Sequence, residues 1–194
     1  MPPRTRLTPE ARRETLLDVA EGQFAQEGYD EIRMDRVAAG AGVSRALLYQ
    51  HFPNKRDLFA AVYRRAADRL LDATVLDPGL PLADQVRAGL DEHFDYFEAN
   101  RRTVLDANRT LGGDPVIQAI ITGELSVLRD RMLDVVVVDD ERRATAASTL
   151  MGWLVFVRVL TVEWLLEPTC SRVELREICT SALLGALAPL MRSD

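Results

Sequence analysis

The fold is decided by residues 28–58, which read GYDEIRMDRVAAGAGVSRALLYQHFPNKRDL. Met34 to Ala39 has a helical pattern with its apolar residues on one face. Gly40-Ala41-Gly42 follows, with glycines that can adopt positive φ and let two helices pack closely. Ser44 suits the N-cap of a second helix, Ser44 to Phe52, which Pro53 ends. This order of helix, glycine turn and helix predicts a helix-turn-helix, whose second helix enters the DNA major groove.

This segment resembles part of the N-terminal domain of the TetR (tetracycline-repressor-type) transcription regulators. The resemblance extends over about the first sixty residues of the chain. The chain departs from that family at Ile32-Arg33, where Thr or Ser is common, and at Ala46-Leu47, where Gly-Thr is frequent. The resemblance implies a DNA-binding regulator, and it rests on Phe24, Gly28, Tyr29, Val37, Ala38, Ala41, Gly42, Val43, Ser44, Leu48, Tyr49, His51, Phe52, Lys55 and Leu58.

Helical patterns continue to the end of the chain and predict an all-α fold of about nine helices. We expect a three-helix helix-turn-helix domain in residues 1–56 and a connecting helix 4 at 55–75. A C-terminal effector-binding and dimerisation domain should then occupy residues 76–194. Asp77-Pro78-Gly79 predicts the turn at the boundary. Val135 to Val138 is β-branched but has no partner strand in the sequence.

The second helix of the motif offers side chains suited to reading DNA. Arg45 suits guanine, Gln50 suits adenine, and Ala46 and Leu47 suit a thymine methyl group. Arg33 and Arg36, near the start of the first helix of the motif, are expected to contact phosphates. The family resemblance implies contacts with the DNA backbone by Tyr49, His51 and Lys55. The alternative is a solvated helix face. The predicted DNA-binding residues are Arg33, Arg36, Ser44, Arg45, Ala46, Leu47, Tyr49, Gln50, His51 and Lys55.

The charge distribution is compatible with that prediction. The chain has 194 residues and a net charge of −6. Residues 1–56 hold nine basic and eight acidic groups, whereas residues 57–194 hold 15 basic and 22 acidic groups. Because phosphate affinity depends on local charge, the motif lies in the favourable part of the chain. Its small basic excess predicts weak non-specific binding.

Two further patterns indicate where the protein resides. Met1 to Leu7 lacks an apolar run, so we expect no secretory signal and a cytoplasmic protein. Leu150 to Leu166 is apolar but contains Arg158 and Glu163, and two charges make membrane insertion costly. We interpret it as a buried helix and expect no membrane partner.

Helices 8 and 9 are the most apolar of the predicted second domain. One small domain has limited interior to cover them, so pairing with the same helices of a second copy is expected, as a four-helix bundle. Burial within one chain is the alternative. The predicted homodimer contacts are Leu150, Leu154, Leu175, Ile178, Ala182, Gly185, Ala186 and Leu190.

Aromatic and polar residues of the second half suit a pocket for a small-molecule effector, although they equally suit a plain core. Arg158 stands among apolar residues and must meet a carboxylate, a ligand anion or solvent. A structural ion pair and an effector contact both remain open for it. The candidate pocket residues are Phe59, Tyr63, Phe94, Phe97, Asn108, Trp153, Phe156 and Arg158.

Enzymatic chemistry finds little support in the sequence. The chain has two His and two Cys, without metal-ligand spacing, a phosphate-binding glycine loop or a nucleophile elbow. We therefore expect no catalytic residues, metal or cofactor, and predict a homodimeric repressor that a small molecule releases from operator DNA. The alternatives are a DNA-binding regulator without such an effector and a helical enzyme or carrier in which residues 28–58 mimic the motif.

Overall fold

The computed structural model describes residues 8–74, 76–77 and 79–191, and they form an all-α fold. Within these ranges pairing between extended segments is limited to one isolated antiparallel bridge, Val138 with Met191. The prediction of an all-α architecture is confirmed. The helices are α1 (Pro9–Gln26), α2 (Met34–Gly40), α3 (Arg45–His51), α4 (Lys55–Ala73), α5 (Leu82–Ala99), α6 (Arg101–Leu105), α7 (Pro115–Val135), α8 (Asp140–Leu166) and α9 (Arg172–Leu187).

Side-chain caps fix the starts of α1, α4 and α9. The Thr8 hydroxyl accepts the Ala11 N–H at 3.2 Å, with proline at the first position of α1. Asn54 and Asp57 hydrogen-bond through backbone and side chain at the start of α4. The Ser171 hydroxyl accepts the backbone N–H of Glu174 at 3.2 Å in a capping box. Each cap satisfies a backbone donor that the first turn leaves free.

Two glycines shape the turn between α2 and α3. Gly42 has φ of +64°, a conformation in which a side chain would strain the backbone. Gly40 lies against α1, where an added Cβ would come 2.8 Å from Val19 Cγ1. The Val43 N–H then donates to the Ala38 carbonyl at 3.0 Å and closes the turn.

Regular α-helical winding does not continue beyond α6. From Asp106 to Thr110 the chain forms a π-helical turn, closed by the Leu111 N–H donating to the Asp106 carbonyl at 2.8 Å. The buried Asp106 carboxylate accepts the backbone N–H of Tyr29 at 2.8 Å and the Thr110 hydroxyl at 3.1 Å. The wider turn accompanies this contact between segments 77 residues apart.

The chain divides into two compact units. The first comprises the described residues up to Ala66 together with Arg102–Ile117, and the second comprises Ala67–Arg101 and the described residues from Gln118 onward. Residues 102–117 were expected in the second domain. They lie in the first unit because Asp106 binds Tyr29 and Asp114 pairs with Arg56 at 3.7 Å. Pro78, from the predicted boundary turn, lies outside the described residues.

Within the second unit, α5, α8 and α9 pack against one another. Helix α8 has 27 residues and is long and apolar enough to cross a membrane, but 44% of its most apolar window is buried inside the protein. Its inner face carries fully buried Leu150 and the polar residues Arg158 and Thr161. A core helix of a globular domain can be equally long and apolar.

Candidate nucleic-acid interface and internal cavity

Helix α3 is held by one face and leaves the other open. Leu48 is its one buried residue and is fully covered, and Phe52 is buried just after it. The Ser44 hydroxyl accepts the Leu47 N–H at 3.2 Å and fixes the start of the helix. Among the predicted contact residues, the side chains exposed on this α3 surface are Ser44, Arg45, Ala46, Tyr49 and Gln50, with Leu47 and His51 half-buried.

Arg45 is positioned by two neighbours on this surface. Its guanidinium pairs with Asp35, Nε to Oδ1, at 3.1 Å, and its Cζ lies 5.6 Å from the Tyr49 ring centroid. Both ionic side chains are about half exposed or more, so water screens the pair and it contributes little stability. The pair therefore offers little resistance to a competing anion, and Asp35 is a neighbour of Arg45 that the residue pattern did not predict.

The other predicted cations have different surroundings. Arg33 is exposed. Arg36 pairs with Glu27 through its two terminal guanidinium nitrogens, Nη2 at 2.6 Å and Nη1 at 2.8 Å. That carboxylate raises the pKa of Arg36 through hydrogen bonding and charge. Lys55 Nζ donates to the Tyr29 carbonyl at 2.7 Å and lies 4.5 Å from the ring centroid of the same residue. Lys55 thus ties α4 to the segment before α2.

Known proteins match this chain most clearly across the helix-turn-helix. Residues 16–62 match the model of a family described as bacterial regulatory proteins, tetR family. The HTH-type transcriptional activator FasR of Mycolicibacterium smegmatis is 29% identical over 159 residues, which are 79% of this chain and 72% of that protein. The helix-turn-helix segment of this chain therefore matches the TetR family.

Other known proteins agree with this chain over shorter stretches or in fold. The HTH-type transcriptional regulator RutR of Escherichia coli is 31% identical over 125 residues, 62% of this chain and 58% of RutR. The match therefore spans less than two thirds of RutR. A tetR-family transcriptional regulator from Streptomyces coelicolor superposes with a TM-score of 0.80, covering 94% of this chain and 83% of that one at 24% identity. These similarities identify a helix-turn-helix transcriptional regulator.

The second unit of the chain contains a cavity of about 70 Å³. Its wall is almost entirely apolar and is drawn from the end of α4, from α5, from the C-terminal half of α7 and from the middle of α8. A smaller set of polar residues is interspersed. The lining residues used below are Thr74, Gln85, Gly89, His93, Glu124, Arg131 and Trp153.

This cavity differs from the pocket predicted from the sequence. Of the eight predicted residues, Trp153 lines it. Phe59 and Tyr63 are buried in the aromatic core of the first unit, and Asn108 belongs to that unit as well. Phe156 is 40% exposed on α8, on the face away from the core. Helical periodicity identified these apolar residues but could not identify which of them face an unfilled space.

The remaining predicted pocket residues belong to the packed core. Phe94 and Phe97 are buried and do not line the cavity. Arg158 is buried beside Glu124, Nη1 to Oε2 at 3.5 Å, and its Cζ lies 5.5 Å from the Phe97 ring centroid. Of the two alternatives for Arg158, a structural ion pair is therefore the arrangement found. Burial raises the pKa of Glu124, while Arg158 lowers it.

Polar residues of the cavity wall were missed by the sequence analysis. Gln85 and His93 lie on the inner face of α5, four residues on either side of Gly89. Burial, with a smaller contribution from Arg158, lowers the pKa of His93 to about 3, so its imidazole is neutral near pH 7. Polar residues at positions that helical periodicity assigns to the core are the signal that could have identified them.

The predicted dimer residues fall into two groups. Leu150, Leu154 and Leu175 are buried inside the second unit, at 0%, 7% and 0% exposure, so their assignment to a surface contact is corrected. They face the inside of the α5, α8 and α9 packing. The exposed or half-exposed members are Ile178, Ala182, Gly185, Ala186 and Leu190.

A contiguous apolar stripe on α8 was not predicted. Gly152, Val155, Phe156 and Val159 recur at helical spacing and are all exposed, with Val159 at 57%. Helix α9, which packs against α8, carries Ile178, 48% exposed, and the small residues listed with it above. We call these exposed residues of α8 and α9 the apolar face.

Proposed function

We propose that this protein is a homodimeric, cytoplasmic repressor that binds operator DNA through the α3 surface and is released by a small-molecule effector. The observation that carries the proposal is the α3 surface itself. It presents Arg45, Tyr49 and Gln50 on a helix that a glycine turn and an N-cap hold in place. Exposed residues of this kind read base edges and phosphates in helix-turn-helix proteins.

Selection from random duplex DNA at low salt, followed by fluorescence anisotropy on the recovered sequence, tests the DNA-binding part. A palindromic site is expected, with half-sites about 34–36 Å apart, because two recognition helices in a dimer face successive turns of one groove. The control is the variant Arg33→Ala, which should weaken all sequences alike and leave the preferred bases unchanged. Recovery of no enriched sequence would contradict the proposal.

The apolar face supports the homodimer. Val155, Phe156, Val159 and Ile178 leave a large apolar area in water, and burial against a second copy would remove it. Small residues such as Gly185 allow two helices to approach closely. The expected arrangement is a four-helix bundle formed by α8 and α9 of both copies.

Val159→Glu should convert the dimer into a monomer in sedimentation experiments, because it would place two carboxylates in the interface. Val127→Glu is the matched control, since Val127 is likewise exposed, at 40%, but lies on α7 outside the apolar face. A dimer that survives Val159→Glu, or one that Val127→Glu dissociates instead, would refute this interface.

The cavity supports control by a small molecule. Its 70 Å³ is below the 300–1,000 Å³ or so of drug-sized ligand sites, so a ligand of that size would need the walls to move apart. One wall is the end of α4, through Leu70 and Thr74, and α4 begins directly after the helix-turn-helix. We infer that ligand entry displaces α4 and thereby weakens DNA binding.

Because linkage is reciprocal, operator DNA should weaken effector binding by the factor by which effector weakens DNA binding. Titration of the effector with and without operator DNA measures both factors. Equal affinities in the two titrations would rule out release by the effector and would leave DNA binding standing.

A further inference from the structure

The α5 wall of the cavity carries two hydrogen-bonding groups separated by a glycine. Gln85, Gly89 and His93 are spaced by four residues and therefore lie along one face of the helix. At 1.5 Å per residue, the α-carbons of Gln85 and His93 are about 12 Å apart. Between them Gly89 contributes no side chain, and a Cβ added there would lie 3.9 Å from Thr74 Cγ2.

The Gln85 side chain is oriented by the chain itself. Its Nε2 donates to the Leu80 carbonyl at 2.9 Å, and a carbonyl can accept only from the amide NH₂. Oε1 is therefore the free end of the amide. It is buried and has no hydrogen-bond partner in the described part of the chain, although Gln85 as a whole is 5% exposed. A buried acceptor of this kind calls for a donor.

His93 presents a similar atom. Its Nε2 is buried without a hydrogen-bond partner in residues 8–74, 76–77 and 79–191, while the ring packs on Phe97 with centroids 3.9 Å apart. The low pKa of His93 keeps the imidazole uncharged. In one tautomer Nε2 accepts a hydrogen bond, and in the other it donates. A hydroxyl group satisfies either tautomer, because it can both donate and accept.

The charged groups that face the cavity are already engaged. Glu124 pairs with Arg158. Arg131 Nη1 donates to the carbonyl of Leu71, at the C-terminal end of α4, and to that of Thr74, just after it, where the helix dipole attracts a cation.

The approach to the cavity carries charges of both signs. An adjoining open cleft shares Thr74 and Arg131 with the cavity and adds two carboxylates, Asp72 and Asp134. Asp134 pairs with Arg143 at 3.0 Å, so an anionic molecule would meet no excess of positive charge on this side. Neither the cavity wall nor this cleft favours a charged ligand.

We propose that the cavity binds an uncharged, elongated and mainly apolar molecule with a hydroxyl near each end. One hydroxyl donates to Gln85 Oε1, and the other hydrogen-bonds with His93 Nε2. The apolar middle lies along Gly89. The assignment of such a molecule as the effector rests on the proposed function, whereas its chemical class rests on the cavity wall alone.

Isothermal titration calorimetry of the full chain with 1,8-octanediol, 1-octanol and octanedioate tests the proposal. The diol should bind about tenfold more tightly than the mono-alcohol and than the dicarboxylate, since only the diol supplies both hydrogen bonds without charge. Gln85→Met and His93→Phe should each weaken diol binding about fivefold or more. Gly89→Leu should abolish it by filling the wall.

Gln118→Leu is the matched control, because it removes an amide from the same unit but outside the cavity wall and should leave diol affinity unchanged. Tighter binding of the dicarboxylate, absence of diol binding at millimolar concentration, or diol affinity unaltered by both Gln85→Met and His93→Phe would overturn the proposal. Thermal melting of each variant without ligand verifies that it folds.

DNA binding is measured separately, so the two proposals fail separately. Diol binding that depends on Gln85 and His93 supports the ligand class even if operator DNA stays bound. Operator binding by a protein that does not bind the diol refutes the ligand class and leaves the DNA-binding function intact.

Discussion

The α3 surface and the α5 wall are both proposed as recognition surfaces and carry unsatisfied polar groups, but they differ in their access to water. Gln50 on α3 is exposed, and solvent completes its hydrogen bonds. Gln85 on α5 has a buried oxygen that has no hydrogen-bond partner in the described residues. The residue type is the same in both places.

The difference shows which unpaired groups carry information. An exposed amide loses little when it lacks a protein partner, whereas a buried unsatisfied one costs about 1–3 kcal/mol. A chain that retains such a group therefore indicates a missing partner. On the α3 surface, by contrast, specificity must be inferred from the helix's position and its neighbours. Substitutions should accordingly alter stability at the buried groups and DNA binding at the exposed ones.

The largest effect on stability is expected from Arg158→Met. Removing the guanidinium leaves Glu124 as an uncompensated buried carboxylate, which should lower the free energy of unfolding by about 3–5 kcal/mol. Denaturant unfolding measures the loss. The double variant Arg158→Met with Glu124→Leu should recover most of it, and a double variant no more stable than the single one would contradict the role of the unpaired charge.

The same variant makes a prediction about pH. Burial raises the pKa of Glu124, and Arg158 opposes that rise, so removing Arg158 should raise the pKa further. Because the folded state then holds a proton more tightly than the unfolded state, stability is greatest below the unfolded pKa and falls as pH rises. The deficit of Arg158→Met should be larger at about pH 8 than at about pH 5. A deficit independent of pH would exclude Glu124 as its source.

Arg45→Ala should affect binding instead of folding. It should cost about 1–3 kcal/mol at the preferred operator and relax base preference at one position. Tyr49→Ala should weaken all sequences more uniformly, because its expected contact is with the backbone. Anisotropy with operator and scrambled DNA separates the two. Equal losses on both DNAs for both variants would remove these roles, and a large drop in melting temperature would break the contrast with the buried groups.

Gly42→Ala should destabilise the first unit by about 1–2 kcal/mol, since its φ of +64° forces a side chain into the left-handed region. Gly123→Ala is the control: Gly123 is exposed inside α7 with nothing within 4 Å of an added Cβ. That change should stabilise the protein by up to about 1 kcal/mol. A change in stability in the same direction for Gly42→Ala and Gly123→Ala would contradict the conformational argument.

The smallest effect is expected from Asp35→Asn. Loss of the exposed pair with Arg45 should change stability by less than about 1 kcal/mol. Removal of the negative charge should nevertheless increase affinity for DNA a few-fold, and the gain should shrink as salt rises. Glu10→Gln, an equal charge change in the first turn of α1, should leave DNA affinity unchanged. A similar gain in DNA affinity from both variants would indicate an effect of net charge and not of the α3 surface.

Local signals in the sequence were sufficient to predict the helix-turn-helix. Thr8, Ser44 and Asn54 are capping residues, and Gly42 is the residue with positive φ, so each acts through neighbours a few positions away. The cavity depends on contacts between residues far apart in sequence. Whether Phe97 or Trp153 borders an empty space is set by the packing of several helices, which periodicity along one helix does not encode.

The partner of Asp106 was equally beyond local reasoning. A carboxylate in the middle of a helical pattern is ordinarily solvated, whereas this one binds a backbone N–H 77 residues away. Similarly, the buried leucines of α8 were predicted to contact a second copy because helical periodicity does not distinguish the two apolar sides of one helix. The exposed side carries Val155 and Val159 instead.

The π-helical turn at Asp106–Thr110 has a consequence for the gene. A π turn accommodates one residue more than the α-helical turn it replaces. Deletion of a single codon there would restore regular helical winding, but it would rotate every preceding side chain by about 100° relative to those that follow. Asp106 would then turn away from the Tyr29 amide. Comparison of related genes should therefore show that the extra codon of the π turn is gained or lost together with the acidic residue at the position of Asp106.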